Sequence, residues 1–195
     1  MKGRVPPSTR RRAGFERINE RIGLANASWA AVMLQPDLVE ADRLGEQAEG
    51  ELRSIDSPFA LAHCLEARAL VELKLGHPDR AGPRLAEELT ILSASGNSGC
   101  TAHSLEAIAA LAVTRGLDPG MLGVVAELLG AAEQLRVSSG HKHRPWELEG
   151  KRAAVGALRE ALTAEALDAA MIRGRGHNLS SATELGHRVV AAVVQ

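Results

Sequence analysis

The chain has few aromatic residues and few cysteines. Its 195 residues include no tyrosine, two phenylalanines, two tryptophans and two cysteines. Two cysteines cannot form the framework of several disulfides that holds small secreted domains together, so we expect a reduced, cytoplasmic setting. A core with so few rings must be built from small and aliphatic side chains, and 33 alanines and 26 leucines supply them. Because these residues are strong helix formers, the composition predicts an all-α fold.

The chain also lacks an excess of charge of one sign and any long apolar run. Its formal net charge is -1, which gives no overall electrostatic attraction to nucleic acid or to anionic membranes. The longest apolar run, residues 107–113, is far shorter than the ~20 residues that a membrane-spanning helix needs. Residues 1–12 are basic and have no apolar periodicity, so we predict a disordered tail there. No part of the chain is expected to enter a membrane.

The most informative feature that is present is an internal repeat. The hexad AHCLEA at residues 62–67 returns forty positions later as AHSLEA at residues 102–107. Gly76 and Gly116 keep the same spacing, and each follows an apolar helical stripe, which is typical of a helix C-terminus. A period of this size is characteristic of helical-repeat proteins, whose units stack because none can bury its apolar face alone.

The repeat predicts a single domain over residues 13–195, with its clearest repeats at 57–96 and 97–140. The pairs Ser57-Pro58 and Asp118-Pro119 indicate helix starts, since Ser and Asp can cap a helix and Pro suits its first turn. We therefore expect an all-α, tetratricopeptide-like superhelix of antiparallel helix hairpins, about eight helices in total. Residues 145–195 show no repeat and are predicted to form an atypical C-terminal set of capping helices, with helix starts at Pro145, at Thr163 and at a capping-box pattern over residues 181–184.

Several short segments in the second half of the chain resemble a known family. They are LLGAAEQLR at residues 128–136, LREAL at 158–162, MIRG at 171–174 and Leu179-Ser180. Their order and spacing resemble the C-terminal tetratricopeptide-like region of large actinobacterial LuxR-type and related ATPase transcriptional regulators, over about residues 36–195. The resemblance implies a superhelical sensor or interaction arm, attached in that family to an ATPase core and often to a helix-turn-helix DNA reader.

The chain departs from this family in what it lacks. It has no Gly-rich loop ending in Gly-Lys-Ser or Gly-Lys-Thr, the motif whose backbone N–H groups cradle nucleotide phosphates. Residue 195 leaves no room for a following DNA reader. Neither ATP hydrolysis nor specific DNA binding is therefore expected, and the chain corresponds to the arm alone, as a stand-alone relative or as a piece of a larger regulator.

Cysteine and histidine residues are the candidate metal ligands of the sequence. Cys100 and His103 lie three residues apart, which supplies half of a zinc site on one helical face. The other half would have to come from His63 and Cys64, but the position of Cys64 is occupied by Ser104 in the second repeat. We therefore expect no metal site, and we interpret the cysteines as small buried residues. The two equivalent histidines are interpreted as ordinary repeat positions, with a ligand-binding or pH-sensitive surface as the alternative.

No catalytic, cofactor-binding or metal-binding residue is predicted, and no cofactor. The basic segment His141-Lys142-His143-Arg144 is expected to be a solvated linker, with anion binding as the alternative. The expected function is a non-enzymatic protein-interaction or sensor module with a protein partner. The alternative is a receptor that binds a small-molecule effector in the superhelix concavity.

Overall fold

The computed structural model describes residues 21–55, 57–116, 118–143 and 147–194. The predicted basic tail at residues 1–12 lies outside this part of the chain. Within the described residues the fold is all-α, as predicted, with nine helices and no strand. Their bounds are α1 Arg21–Leu34, α2 Leu38–Arg53, α3 Pro58–Lys74, α4 Pro78–Ala94, α5 Ser98–Thr114, α6 Pro119–Ser139, α7 Glu147–Ala161, α8 Ala164–Arg175 and α9 Leu179–Val194.

The forty-residue period is visible in the backbone. Helices α3 and α5 begin and end forty residues apart, and each is followed by a glycine with positive φ, +80° at Gly76 and +81° at Gly116. This left-handed conformation is easily adopted only by glycine, and it ends both helices in the same way. Helix α3 packs against α4, α5 packs against α6, and α4 packs against α5, so the two hairpins lie side by side.

Helix α5 lies at the centre of the molecule. Fourteen of its seventeen residues are buried, because α3, α4, α6, α7 and α9 all pack against it. Apart from His103 and Glu106, its sequence SGCTAHSLEAIAALAVT is apolar or small on every side, as expected of a helix surrounded by other helices. The largest hydrophobic cluster contains Leu105, Ile108 and Leu111 from α5 together with leucines and valines from α4, α6 and α9.

The last three helices do not form one layer at the end of the stack. Helix α7 packs on α5, α8 packs on α6, and α9 returns across α4, α5 and α6. At the α6–α8 crossing, Gly130 and Gly174 bring the two backbones into direct contact. In α9, a side chain at Gly186 would collide with Leu89 and Leu105, so α9 lies tightly on the two repeat hairpins.

Several helix ends differ in detail from the prediction. Ser57 occupies the N-cap position of α3 without a side-chain capping bond, whereas Asp118 caps α6 by accepting from the N–H of Gly120. Thr163 caps α8 as predicted. The capping-box prediction was wrong by one turn, since α9 begins at Leu179 and Asn178 accepts from the N–H of Ser181. The start predicted at Pro145 lies outside the described residues.

Candidate functional site

Four of the helices form a row in which each one contacts the next: α1, α3, α5 and α7. We call this the inner row. Two candidate features lie in this row: a group of buried charged side chains and, next to it, an apolar cavity. The residues that the sequence singled out, His63, Cys100 and His103, lie on α3 and α5 of this row and are all buried.

The charged group joins three helices of the inner row to α6. We call Glu66, His103, Glu106, Arg136, His143, Glu147 and Lys151 the buried ion cluster. Arg136 donates to Glu106 at 2.5 Å, and its second terminal nitrogen lies 3.0 Å from Nε2 of His103. Nδ1 of His103 lies 2.6 Å from Glu147 Oε1 and 3.8 Å from Glu66 Oε1. These three partners of His103 and Glu106 lie on different helices, Glu66 on α3, Arg136 on α6 and Glu147 on α7, so the cluster links the helices in space.

The arrangement around His103 does not suit a metal ion. Glu66, His103 and Glu147 offer three potential ligand atoms within 4.8 Å of one another. However, a guanidinium can only donate, so the contact with Arg136 makes Nε2 of His103 the acceptor. A ring proton then lies on Nδ1, the nitrogen that faces both carboxylates and that a metal would need unprotonated. The residues around Nδ1 of His103 therefore suit an N–H group at this position and do not suit a metal ion.

Glu106 is held as a carboxylate by its neighbours. Burial alone would raise its pKa, but Arg136, Lys151 and His143 together outweigh burial and lower the pKa below its usual value. Lys151 lies 3.0 Å from Glu106 Oε1, and His143 Nε2 lies at the same distance. The cluster thus pairs the carboxylate of Glu106 with a guanidinium and an ammonium inside the protein.

The predicted solvated linker at residues 141–144 was wrong for its two histidines. His143 contacts Glu106, and the ring of His141 packs edge-on against His103 with 4.7 Å between the ring centres. Lys142 is exposed, as expected of a linker, and Arg144 lies outside the described residues. His143 adds a hydrogen-bonding partner to the buried carboxylate of Glu106, which Arg136 and Lys151 also contact, because a buried charge is costly unless it is paired.

The two cysteines lie apart, Cys64 on the side of α3 that faces α2 and Cys100 on α5. Cys100 Sγ is 3.9 Å from Nε2 of His63, whose ring also stacks on Trp29. Cys64 contacts the carbonyl oxygen of Gly45 on α2 instead, and burial raises the pKa of its thiol to about 12. A neutral thiol is neither a good nucleophile nor a metal ligand, so Cys64 acts as a packing residue.

Glu88 is a further acidic group that sequence reasoning missed. It lies on α4, is fully buried, and faces α3 and α5. Burial, followed by the negative charge of Glu66, raises the pKa of Glu88 well above its usual value, and the Ser104 hydroxyl offsets this only in part. We therefore expect its carboxyl group to hold a proton over a wider pH range than an exposed glutamate does.

A second network of charges ties α2, α3 and α4 together. Arg68 on α3 donates to Glu49 at 2.6 Å and to Asp42 at 3.3 Å, both on α2. Nη1 of Arg84 on α4 lies 3.1 Å from Oε1 of Glu72. In the second repeat, the positions of Arg68 and Glu72 are occupied by apolar residues, so this network belongs to the first hairpin alone.

Sequence reasoning missed Glu66, Glu106, Arg136 and Glu147 as members of a cluster. One signal was available, because Glu66 and Glu106 are the same position of the repeated hexad and interrupt runs of apolar residues. A charged residue kept on a buried helix predicts a buried partner. The identity of the partners was not available, since Arg136 and Glu147 are 30 to 41 residues away from Glu106 in sequence.

The inner row also contains a cavity of about 180 Å³ between α1, α3, α5 and α7. Its lining is mostly apolar, from Met33, Leu70, Leu73, Ala110, Val113 and Ala153. A second cavity of only about 10 Å³, close to the size of one water molecule, lies between it and the buried ion cluster. Leu70, Ala110 and Gly150 line both cavities, so the ion cluster forms the base beneath the larger one.

A separate cleft of about 500 Å³ lies between α6, α7 and α8. It forms because α7 packs on α5 while α8 packs on α6, which leaves the two helices apart beyond the turn that joins them. Leu129, Val155, Leu167 and Met171 form part of its lining, and Arg159 and Asp168 add opposite charges.

None of the helices in the described ranges is both long and apolar enough to cross a membrane. Comparison of the chain with protein-family models, with curated proteins and with solved structures finds no match.

Proposed function

We propose that the chain is a non-catalytic, tetratricopeptide-like helical-repeat module that serves in protein interaction or sensing. The observation that supports this proposal is the stacking of two hairpins whose first helices, α3 and α5, repeat at forty residues and continue into a row with α1 and α7. Repeat proteins of this kind use the extended surface of such a row for recognition.

The chemistry of the buried ion cluster supports a structural role for the charges. Glu106 and Arg136 are almost fully buried, and their charges are directed at one another and not at solvent. Such a cluster fixes the relative positions of α3, α5, α6 and α7 and so keeps the inner row in one shape. In this proposal the chain resembles the arm of a LuxR-type ATPase regulator, acts in the cytoplasm and has a protein partner.

Photo-cross-linking tests the interaction proposal. A photoreactive residue at position 153, which is exposed on the inner row, should cross-link a distinct protein in cells of the source organism, and the same residue at Thr90, exposed on α4, should not. Equal capture from both positions, or none from position 153 together with measured turnover of a small molecule by the chain, would contradict the proposal.

The second candidate is a receptor for a small-molecule effector. It is favoured by the 180 Å³ cavity, which lies between the four helices of the inner row. A ligand that binds the folded state stabilises it in proportion to the logarithm of its concentration once binding is saturated. Thermal unfolding against a metabolite panel should therefore reveal a compound whose stabilising effect grows with concentration, and a flat response across the panel would count against this candidate.

A further inference from the structure

The inner-row cavity has a lining that restricts what it can bind. Six apolar side chains form most of its surface, and two of them, Ala110 and Ala153, are alanines that leave space a leucine would fill. A volume of about 180 Å³ is slightly larger than that of an engineered apolar cavity of ~150 Å³ that takes up benzene. The space therefore matches one ring with a small substituent.

The polar groups at the cavity are already matched with one another. Lys74 and Glu149 form an ion pair at 2.7 Å, with side chains 49% and 69% exposed, so they mark the mouth of the cavity. The Thr114 hydroxyl donates its hydrogen to the carbonyl oxygen of Ala110 at 2.9 Å. Among the lining residues that the structure describes, no unmatched charge is left for an ionic ligand, and the Thr114 oxygen can still accept one hydrogen bond.

We propose that the inner-row cavity binds a neutral, single-ring aromatic molecule that carries at most one O–H or N–H donor. The ring lies among Met33, Leu70, Leu73 and Val113, and the donor of the ligand reaches the Thr114 oxygen. This inference rests on the second proposed function and supplies the chemical class of its ligand. A charged ring compound is disfavoured, because Lys74 and Glu149, the charges at the mouth, are already paired with each other.

The Lys74–Glu149 pair spans two helices at the mouth of the cavity. It joins the last turn of α3 to the first turn of α7, 75 residues apart in sequence. Each charge is also at the favourable end of its helix dipole, Lys74 at a C-terminus and Glu149 at an N-terminus. An exposed pair of this kind is weak enough to open, because water and salt screen its two charges.

The methionines of the chain provide a specific test. Met33 lines the inner-row cavity, Met171 lines the cleft between α6, α7 and α8, and Met121 lies on α6 away from both. With methionine methyl groups labelled with ¹³C, titration with p-cresol or toluene should shift the Met33 signal in a saturable manner and leave those of Met121 and Met171 unchanged. Benzoate, which has the same ring with a negative charge, should shift none of them. The Met33 signal is assigned by Met33→Leu.

Two alanine substitutions on α7 provide a matched pair of variants. Ala153→Leu fills the cavity from an exposed position and should raise the dissociation constant of p-cresol at least about tenfold. Ala161→Leu adds the same side chain at an exposed position of the same helix that does not line the cavity, and it should leave binding unchanged. Thr114→Val should remove the preference for p-cresol over toluene.

The outcomes separate this inference from the functional proposals. No shift of Met33, equal shifts of Met33 and Met171, or unchanged binding in Ala153→Leu would overturn the inference. If a panel metabolite stabilises the chain and shifts only Met171, the receptor function stands and the site assigned here is wrong. If no compound binds and position 153 cross-links a protein, the first proposed function stands alone.

Discussion

Arg136 is the residue on which the buried ion cluster depends most. Its guanidinium contacts Glu106 and His103 and lies 3.9 Å from Glu147, while its side chain is only 7% exposed. The charge of Arg136 therefore compensates carboxylates on two other helices. An arginine within an apolar helix could be recognised in the sequence, but its partners could not, because they are brought to it only by the packing of α5 and α7.

Replacement of Arg136 should be strongly destabilising. In Arg136→Met the side chain keeps much of its volume, but Glu106 loses its guanidinium and keeps only Lys151 and His143, while Glu147 loses the guanidinium 3.9 Å away; removal of one partner of a buried pair costs about 3–5 kcal/mol. Arg53→Met is the control, since Arg53 also contacts two carboxylates, Glu49 and Glu87, but is 45% exposed and should cost about 1 kcal/mol or less. Urea unfolding measures both, and equal losses in the two variants would show that the cluster is not buried as described.

Glu88 predicts a particular dependence of stability on pH. Because the pKa of Glu88 is raised in the folded state, the folded protein binds its proton more tightly than the unfolded chain does. The contribution of protonated Glu88 to the free energy of unfolding is fully present below the pKa of the unfolded chain, near 4.5. It is lost as the pH rises toward the pKa of Glu88 in the folded protein. Relative to wild type, Glu88→Gln should therefore gain stability as the pH rises from 4.5, by up to about 1.4 kcal/mol per pH unit within that window.

The control for Glu88 is Glu46→Gln on α2, where the side chain is exposed. Chemical unfolding of the three proteins between pH 4.5 and 8 gives the comparison. A difference between Glu88→Gln and wild type that does not change with pH, or one that matches Glu46→Gln, would contradict the account of Glu88.

At the scale of the elements, the repeat and its terminators predicted most of the helices. Gly76 and Gly116 end α3 and α5 where the sequence indicated, and Asp118 and Thr163 cap the helices that they precede. The signals were reliable because they are local, since a positive φ or a cap depends on a few neighbouring residues. The error at the start of α9 has the same origin, because Asn178 and Ser181 are both good capping residues and the sequence alone does not rank them.

The crossing of α6 and α8 predicts different effects for two glycines. A Cβ at Gly174 would collide with the backbone carbonyl of Glu127, so Gly174→Ala should force the helices apart and cost about 1–3 kcal/mol. Gly156 on α7 faces open space, so Gly156→Ala should stabilise the protein by up to about 1 kcal/mol through helix propensity. Thermal unfolding should move in opposite directions for the two variants, and two stabilising substitutions would show that α6 and α8 do not meet at this point.

At the scale of the whole molecule, the sequence predicted the stacking of the hairpins but not the place of the last three helices. The apolar stripes of α3 to α6 recur at a fixed period, so their mutual packing follows from the pattern. Residues 147–194 have no such period, and the return of α9 over α4, α5 and α6 depends on small residues that fit together in space, such as Gly186 against Leu89 and Leu105. The order of residues in the sequence does not show which small residues will fit against which side chains.

Hydrogen exchange of α5 tests the central claim most directly, namely that the second repeat supplies a helix enclosed by both hairpins and by the C-terminal helices. Because five helices pack on α5, its amide hydrogens should exchange only through global unfolding and should be the slowest in the chain. Amides of α1, whose main contacts within the described residues are with α2 and α3, should exchange through local opening at lower free energy. Exchange in residues 98–114 as fast as in residues 21–34 would contradict the architecture and, with it, the inner row on which both proposed functions depend.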